Sequence, residues 1–262
     1  MAGAEFDLSG EVVVLTGGAG ILGAAFAAAL SRFGASVAIV DRDGGKAKQS
    51  AQAVARARAY EADIADPKAL RRLEEQVAAE LGAPTVLVNN AAAKSAHFFA
   101  PFEQFPLEDW DQVMSVNLTG AMLCCQVFGA AMAERGRGSI VNILSIYGIV
   151  APDQRIYHGS SYEGRAINTP AVYSASKAAL LGLTRYLATY WSTRGVRVNA
   201  ITPGGVRSGQ NDTFVERYSA RVPLGRMAER DELSGALVFL ASPAASYVTG
   251  QNIVVDGGLS VW

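Results

Sequence analysis

Cysteine, histidine and charge are all scarce in this chain. Its 262 residues hold two cysteines and two histidines. Cys124 and Cys125 are adjacent in an apolar helical stretch, so no disulfide framework can be built from them, and they read as small core residues. His97 and His158 are too few for a zinc site, and no metal is expected. Charged residues make up 18% of the chain and the formal net charge is −1, which excludes a basic field for nucleic acid or anionic lipid. Gly, Ser or charge interrupts the apolar stretches, so no bilayer-spanning segment is expected. The N-terminal Met-Ala-Gly-Ala-Glu-Phe-Asp carries acid where a secretory signal carries base, and the expected location is the cytoplasm. Disorder is excluded as the main state, because half of the residues are hydrophobic and mean hydropathy is +0.17.

Glycine is abundant, at 27 residues, and short Val/Ile-rich runs alternate with Ala-rich helical patterns. The runs predict strands over 11–16, 36–40, 59–61, 85–88, 139–144, 196–201 and 252–255. Helices are predicted over 21–33, 47–57, 67–81, 107–135, 171–192 and 229–241. Strands alternating with helices imply right-handed βαβ units and a parallel sheet covered on both faces. The predicted fold is α/β: a doubly wound Rossmann sheet of about seven strands. No linker or repeat interrupts it, so residues 1–262 read as a single domain. The least regular stretch is Tyr147–Pro170, and a loop of that length in a compact domain carries function or disorder.

Thr16-Gly17-Gly18-Ala19-Gly20-Ile21-Leu22-Gly23 joins the first strand to the first helix. Glycines let a backbone approach a pyrophosphate closely, and the free N–H groups of a helix start face phosphates. Asp41 ends the second strand, 18 positions after Gly23. An acid there accepts hydrogen bonds from the adenosine ribose and repels a 2′-phosphate, which favours NAD over NADP. The neighbouring Arg42 argues the other way, since a guanidinium can take that phosphate.

With Asp63-Ile64, Asn89-Asn90-Ala91-Ala92, Asn117, Ser145, Tyr173-Ser-Ala-Ser-Lys177, Pro203-Gly204-Gly205 and Val255-Asp256-Gly257-Gly258, in that order, the chain resembles the short-chain dehydrogenase/reductase family along nearly its whole length. It departs from the short single-domain branch at three places. The glycines are spaced Gly17-x-x-Gly20-x-x-Gly23, with Ile21 where a glycine is usual. Leu144 precedes the serine. Ser145 and Tyr173 lie 28 positions apart, which places an insertion within 146–171.

The resemblance implies that Tyr173 is the general acid/base, that Lys177 lowers its pKa and binds the nicotinamide ribose, that Ser145 holds the reacting oxygen, and that Asn117 keeps a water in the proton relay. Such a task needs a phenol brought down from its reference pKa of ~10. Cofactor contacts are expected from Gly17, Gly20, Ile21, Leu22, Asp41, Arg42, Asp63, Ile64, Asn90, Ala91, Ala92, Pro203, Gly204 and Val206. Asn117 also reads as a structural amide, and Asp63 as a helix cap. The polar insertion, with Arg155 and His158 as candidate contacts, suits a sugar, sugar acid or sugar derivative. The stretch 210–222 is expected to form a lid, from which Glu216, Arg217, Tyr218 and Arg221 could reach substrate. The leading function is an NAD-dependent dehydrogenase or reductase. Alternatives are an NAD-retaining dehydratase or epimerase, a 3-oxoacyl-thioester-type reductase, and a non-catalytic NAD-binding protein. A homodimer or homotetramer is expected.

Overall fold

A computed structural model describes residues 4–262, leaving Met1–Gly3 of the acidic N-terminal stretch outside the described residues. Seven parallel strands form one sheet. In chain order these are β1 (Val12–Thr16), β2 (Ser36–Asp41), β3 (Ala57–Glu61), β4 (Val86–Asn89), β5 (Gly138–Ile143), β8 (Val196–Pro203) and β9 (Asn252–Val255). They lie side by side as β3-β2-β1-β4-β5-β8-β9. β1 and β4 are buried along their full length, as expected of parallel strands covered on both faces.

The pleat sends alternate residues of β1 to opposite faces. Val13 and Leu15 join Phe26 and Leu30 of α1 (Ile21–Arg32) and Leu237 of α9 (Ser234–Ala241). Val12 and Val14 join Leu70, Leu73 and Val77 of α3 (Pro67–Glu80), together with Phe128 and Met132. Those two belong to a continuous helical run, Leu107–Glu134, built from α4 (Leu107–Met114), α5 (Ala121–Cys124) and α6 (Ala130–Glu134) with π turns at Ser115–Gly120 and Cys125–Gly129. Contrary to the expected interruption of apolar stretches, this run is long and apolar enough to cross a membrane by length and composition. Gly120 and Gly129 do not break it; a Cβ on Gly129 would lie 2.5 Å from the Trp191 ring of α7 (Ala171–Trp191), so glycine is what lets the two helices touch. Its inner face is core of the sheet layer, and burial pushes the thiols of Cys124 and Cys125 up, the latter to about 12.

Two boundaries differ from the sequence reading. α2 spans Gly44–Gln52 because the Asp43 carboxylate caps it at Lys46 N, and Ala57 already belongs to β3. Residues 229–233 are turns leading into α9. Beyond the sheet, the expected insertion carries a small hairpin, β6 (Ser161–Tyr162) with β7 (Arg165–Ala166). Its turn holds Glu163 at φ +50° and Gly164 at φ +76°, the conformation of a type I′ hairpin. Against it lies α8 (Asp212–Ser219), within the stretch expected to be a lid.

Candidate active site

Strand order reverses between β1 and β4, so a crevice opens at their C-terminal ends, where doubly wound sheets bind ligands. Three joints build its floor. Gly17 has φ +60°, and a Cβ there would lie 2.7 Å from Ala91 Cα. A Cβ on Gly23 would lie 2.4 Å from the Gly17 carbonyl oxygen, so the helix start sits directly on the turn. Asn90 clamps the reversal: its Nδ2 donates to Thr16 O at 3.1 Å and Gly17 O at 2.9 Å, while Asn90 N and Ala91 N both donate to Thr16 Oγ1. The Asn90 side chain is thereby committed to the turn, leaving Ala91 and Ala92 as the ligand-facing part of that segment.

Asp41 stands at the end of β2 beside this turn. One carboxylate oxygen accepts from Ala19 N at 3.3 Å and the other from Asp43 N at 3.2 Å. Arg42 next to it is exposed. Asp63 is exposed and accepts from Ala65 N, while the cap of α3 is Asp66. Ile64 departs from expectation: its side chain is buried in the core against Gly120, so only its backbone is left to meet a ligand. A turn with no room for Cβ atoms, an open helix start above it and an acid at the second strand's end fit a dinucleotide. Gly17, Gly20, Ile21, Leu22 and Asp41 would hold its adenosine and pyrophosphate portions.

Beside the crevice lies a cavity of about 390 Å³, on whose wall Ser145 and Tyr173 both stand. β5 delivers Ser145, whose Oγ accepts from Tyr147 N at 3.3 Å. Helix α7 delivers Tyr173 and, one turn on, Lys177. The lysine is 3% exposed, and its Nζ donates to the Ile143 carbonyl at 2.8 Å and sits 6.0 Å from the Tyr173 ring centre. Burial brings Lys177 down to about 8, so it keeps its proton at neutral pH. In the protein alone, burial raises the pKa of Tyr173 and the Ser145 hydroxyl offsets part of that rise.

Asn117 lies on the first π turn, a distortion common at functional sites. Its Oδ1 accepts from Ala93 N at 2.9 Å and its Nδ2 donates to Ser176 Oγ at 3.2 Å. The side chain therefore ties the β4 loop to α7. Gly204 and Gly205 reach the cavity from the end of β8, while Pro203 is buried and Val206 half-buried beside them.

Most of the remaining wall was missed; Tyr218, named as able to reach substrate, is the exception. Tyr147, Tyr157 and Tyr162 lack a lysine four positions on, yet all three line the cavity. Tyr157 Oη and Thr169 Oγ1 lie 2.5 Å apart. Tyr218 of α8 completes the wall, its hydroxyl accepting from Gly205 N, its pKa pushed up to about 12 by burial. Lys94 and the Phe98–Phe99 pair, just past β4, form the opposite side. Arg155 and His158, in contrast, are exposed and lie off the cavity. Arg155 is bound to Asp153, and the His158 carbonyl accepts from Arg217. Glu216, Arg217 and Arg221 are likewise off the cavity, with Arg221 paired to Asp153 at 2.6 Å. Alternation of charge with apolar residues conceals this: the insertion turns its aromatic side inward and its ions outward.

Fold and site together define the class: an oxidoreductase built on a dinucleotide-binding sheet. Comparison with known proteins narrows it. A family profile described as enoyl-(acyl carrier protein) reductase matches residues 18–260. D-threitol dehydrogenase of Mycolicibacterium smegmatis is 35% identical over 98% of this chain and 95% of its own. A gluconate 5-dehydrogenase from Burkholderia cenocepacia, solved with NADP and tartrate, superposes with a TM-score of 0.88 at 31% identity, covering all of both chains. A short-chain dehydrogenase from Leptospira borgpetersenii, solved with NAD+, gives a TM-score of 0.85 at 33% identity, covering 96% of this chain and 93% of the other. The chain belongs to the short-chain dehydrogenase/reductase family.

Proposed function

We propose that the protein, acting as one catalytic domain, is an NAD-dependent dehydrogenase for a secondary alcohol, ketone or hemiacetal hydroxyl of a small polyhydroxylated substrate, a sugar, sugar acid or sugar derivative. The observation that carries this reading is the convergence of Ser145 and Tyr173 on one cavity beside the glycine turn, with Lys177 buried behind the phenol. Relatives that act on D-threitol and on gluconate support the substrate class.

The glycine turn and the N-terminus of α1 hold the pyrophosphate, Asp41 the adenosine ribose, Ala91 and Ala92 the middle of the cofactor, and Gly204 with Val206 the nicotinamide end. Bound there, oxidised nicotinamide supplies a carbon that accepts hydride and a positive ring charge next to the phenol. The chain supplies proton control. Tyr173 takes the hydroxyl proton in oxidation and returns it in reduction. Ser145 Oγ donates to the reacting oxygen. Lys177, charged at neutral pH, stabilises the phenolate across the helix turn, and Asn117 keeps the loop after β4 and α7 in register. The carboxylate of Asp41 repels a 2′-phosphate, so NAD is the working cofactor. A cytoplasmic homodimer or homotetramer, joined through the long helices, is part of the same reading.

The test is a panel of sugars, polyols, sugar acids and simple ketones, scored by absorbance of reduced nicotinamide with NAD and NADP. Net NADH from polyhydroxylated substrates is expected. Tyr173→Phe should lose roughly 10²–10⁴-fold in kcat while still binding NAD. Full turnover by that variant overturns the acid/base assignment.

A further inference from the structure

Among the described residues, Lys94 is the one charged side chain on the wall of the catalytic cavity, and no carboxylate shares that wall. Its place is built from both sides. Behind it, Ala93 N is tied to buried Asn117. Ahead of it, His97 N donates to Asp109 at 2.9 Å, and Phe98 packs edge-on against Tyr173. Its ammonium rests 4.3 Å from the centre of the Tyr162 ring and 5.8 Å from that of Phe99. Tyr162 is held in turn by the hairpin and by its bridge to Gln210. Among the described residues no carboxylate comes within ion-pair distance of Lys94; Glu163, at the hairpin tip, acts on it only through its longer-range field. Lys94 lines the cavity while remaining exposed to solvent, and the desolvation it does undergo lowers its pKa against the opposing field of Glu163.

A neutral polyol leaves such an ammonium with aromatic faces alone. A carboxylate or phosphate on the substrate gives it a charge-assisted partner, and the substrate itself would displace water from the ammonium as it fills the cavity. We propose that Lys94 is the specificity-determining residue of this cavity, pairing with an anionic group on a polyhydroxylated substrate, so that sugar acids or sugar phosphates are preferred over neutral polyols. This rests on the polyhydroxylated-substrate reading above.

The experiment compares D-gluconate, D-glucitol and glucitol 6-phosphate with the whole protein and NAD. The readout is the ratio of kcat/KM for each anion to that for glucitol, in wild type, Lys94→Met and Lys94→Arg. The ratio for at least one anion should exceed unity in wild type, fall about 10–100-fold in K94M, chiefly through KM, and recover in K94R. The gluconate and phosphate arms tell which anion the site takes. A ratio unchanged by K94M, or a K94M defect confined to the KM for NAD, overturns the proposal. Calorimetric titration of the same three ligands into NAD-loaded protein separates the two readings. Anion binding that K94M abolishes upholds Lys94 even without turnover, and equal binding by wild type and K94M refutes it. Failure of the function itself would instead show as no NADH from any substrate in the wider panel.

Discussion

Asp41 shows how one carboxylate can serve two ends. It braces the glycine turn through Ala19 N, and in the function proposed above it also sets a negative charge against an adenosine 2′-phosphate. Like charges brought together at a binding site cost several kcal/mol. Asp41→Asn keeps the acceptor atom and removes the charge, and Arg42 remains to attract phosphate. The kcat/KM ratio for NAD over NADP should drop by about 10–100-fold, at roughly tenfold per 1.4 kcal/mol. An unchanged ratio would mean that cofactor choice lies elsewhere. At this scale the catalytic types were legible, since a tyrosine and a lysine four apart must share a helix face. The fate of each side chain was not. Asn90 read as a cofactor contact and Asn117 as a relay residue or a structural amide; the structure shows the Asn90 side chain held on the glycine turn and that of Asn117 held between the β4 loop and α7. The Ile64 side chain is turned into the core against Gly120, a contact between segments 56 residues apart, which leaves its backbone for a ligand.

Among elements, the consequential pairing is that of α8 with the hairpin. Asn211 joins them. Its Oδ1 accepts from Phe214 N as the cap of α8 and from Ser161 N of β6, and its backbone N donates to Ser161 O. Stacking of Tyr157 on Phe214, centroids 5.8 Å apart, adds a shared apolar contact. The insertion and α8 are therefore one unit, which lines the cavity with aromatic faces. Asn211→Ala removes a cap and leaves Ser161 N short of a partner, at a cost of about 1–2 kcal/mol. Hydrogen exchange should speed up in 161–166 and 212–219 together while the seven-stranded sheet keeps its protection. Loosening of only one of the two segments would show that they are not coupled. The helix α3 could be read from Pro67 at its first turn and Gly82 beyond its end, although the cap proved to be Asp66 and not Asp63. The hairpin could not, because a two-residue strand has no period to detect, and Glu163 takes a left-handed conformation that glycine normally announces.

For the molecule as a whole, the sheet and its two helical layers hold a lysine in the core. Folding lowers Lys177 from 10.5 to about 8, so between those values the unfolded chain carries a proton that the folded one lacks. Lys177 therefore makes stability rise as pH climbs from about 8 toward 10.5, and that gain is absent below 8. The buried thiols of Cys124 and Cys125 pull the other way over part of this range, but they are common to both proteins. In urea unfolding, the stability of wild type minus that of Lys177→Met should grow between pH 8 and pH 10. A constant difference would mean that the amine is not desolvated. The sequence by itself determined the α/β alternation, the glycine turn, the acid after the second strand and the Tyr173/Lys177 pair, because each depends on residues close along the chain whose spacing obeys a local period. Only the tertiary structure decided which groups share the cavity. Lys94 comes from the loop after β4, Tyr162 from β6 and Tyr218 from α8, and whether a side chain faces a cavity, a partner or water is set by the packing of distant segments, where no local periodicity records it.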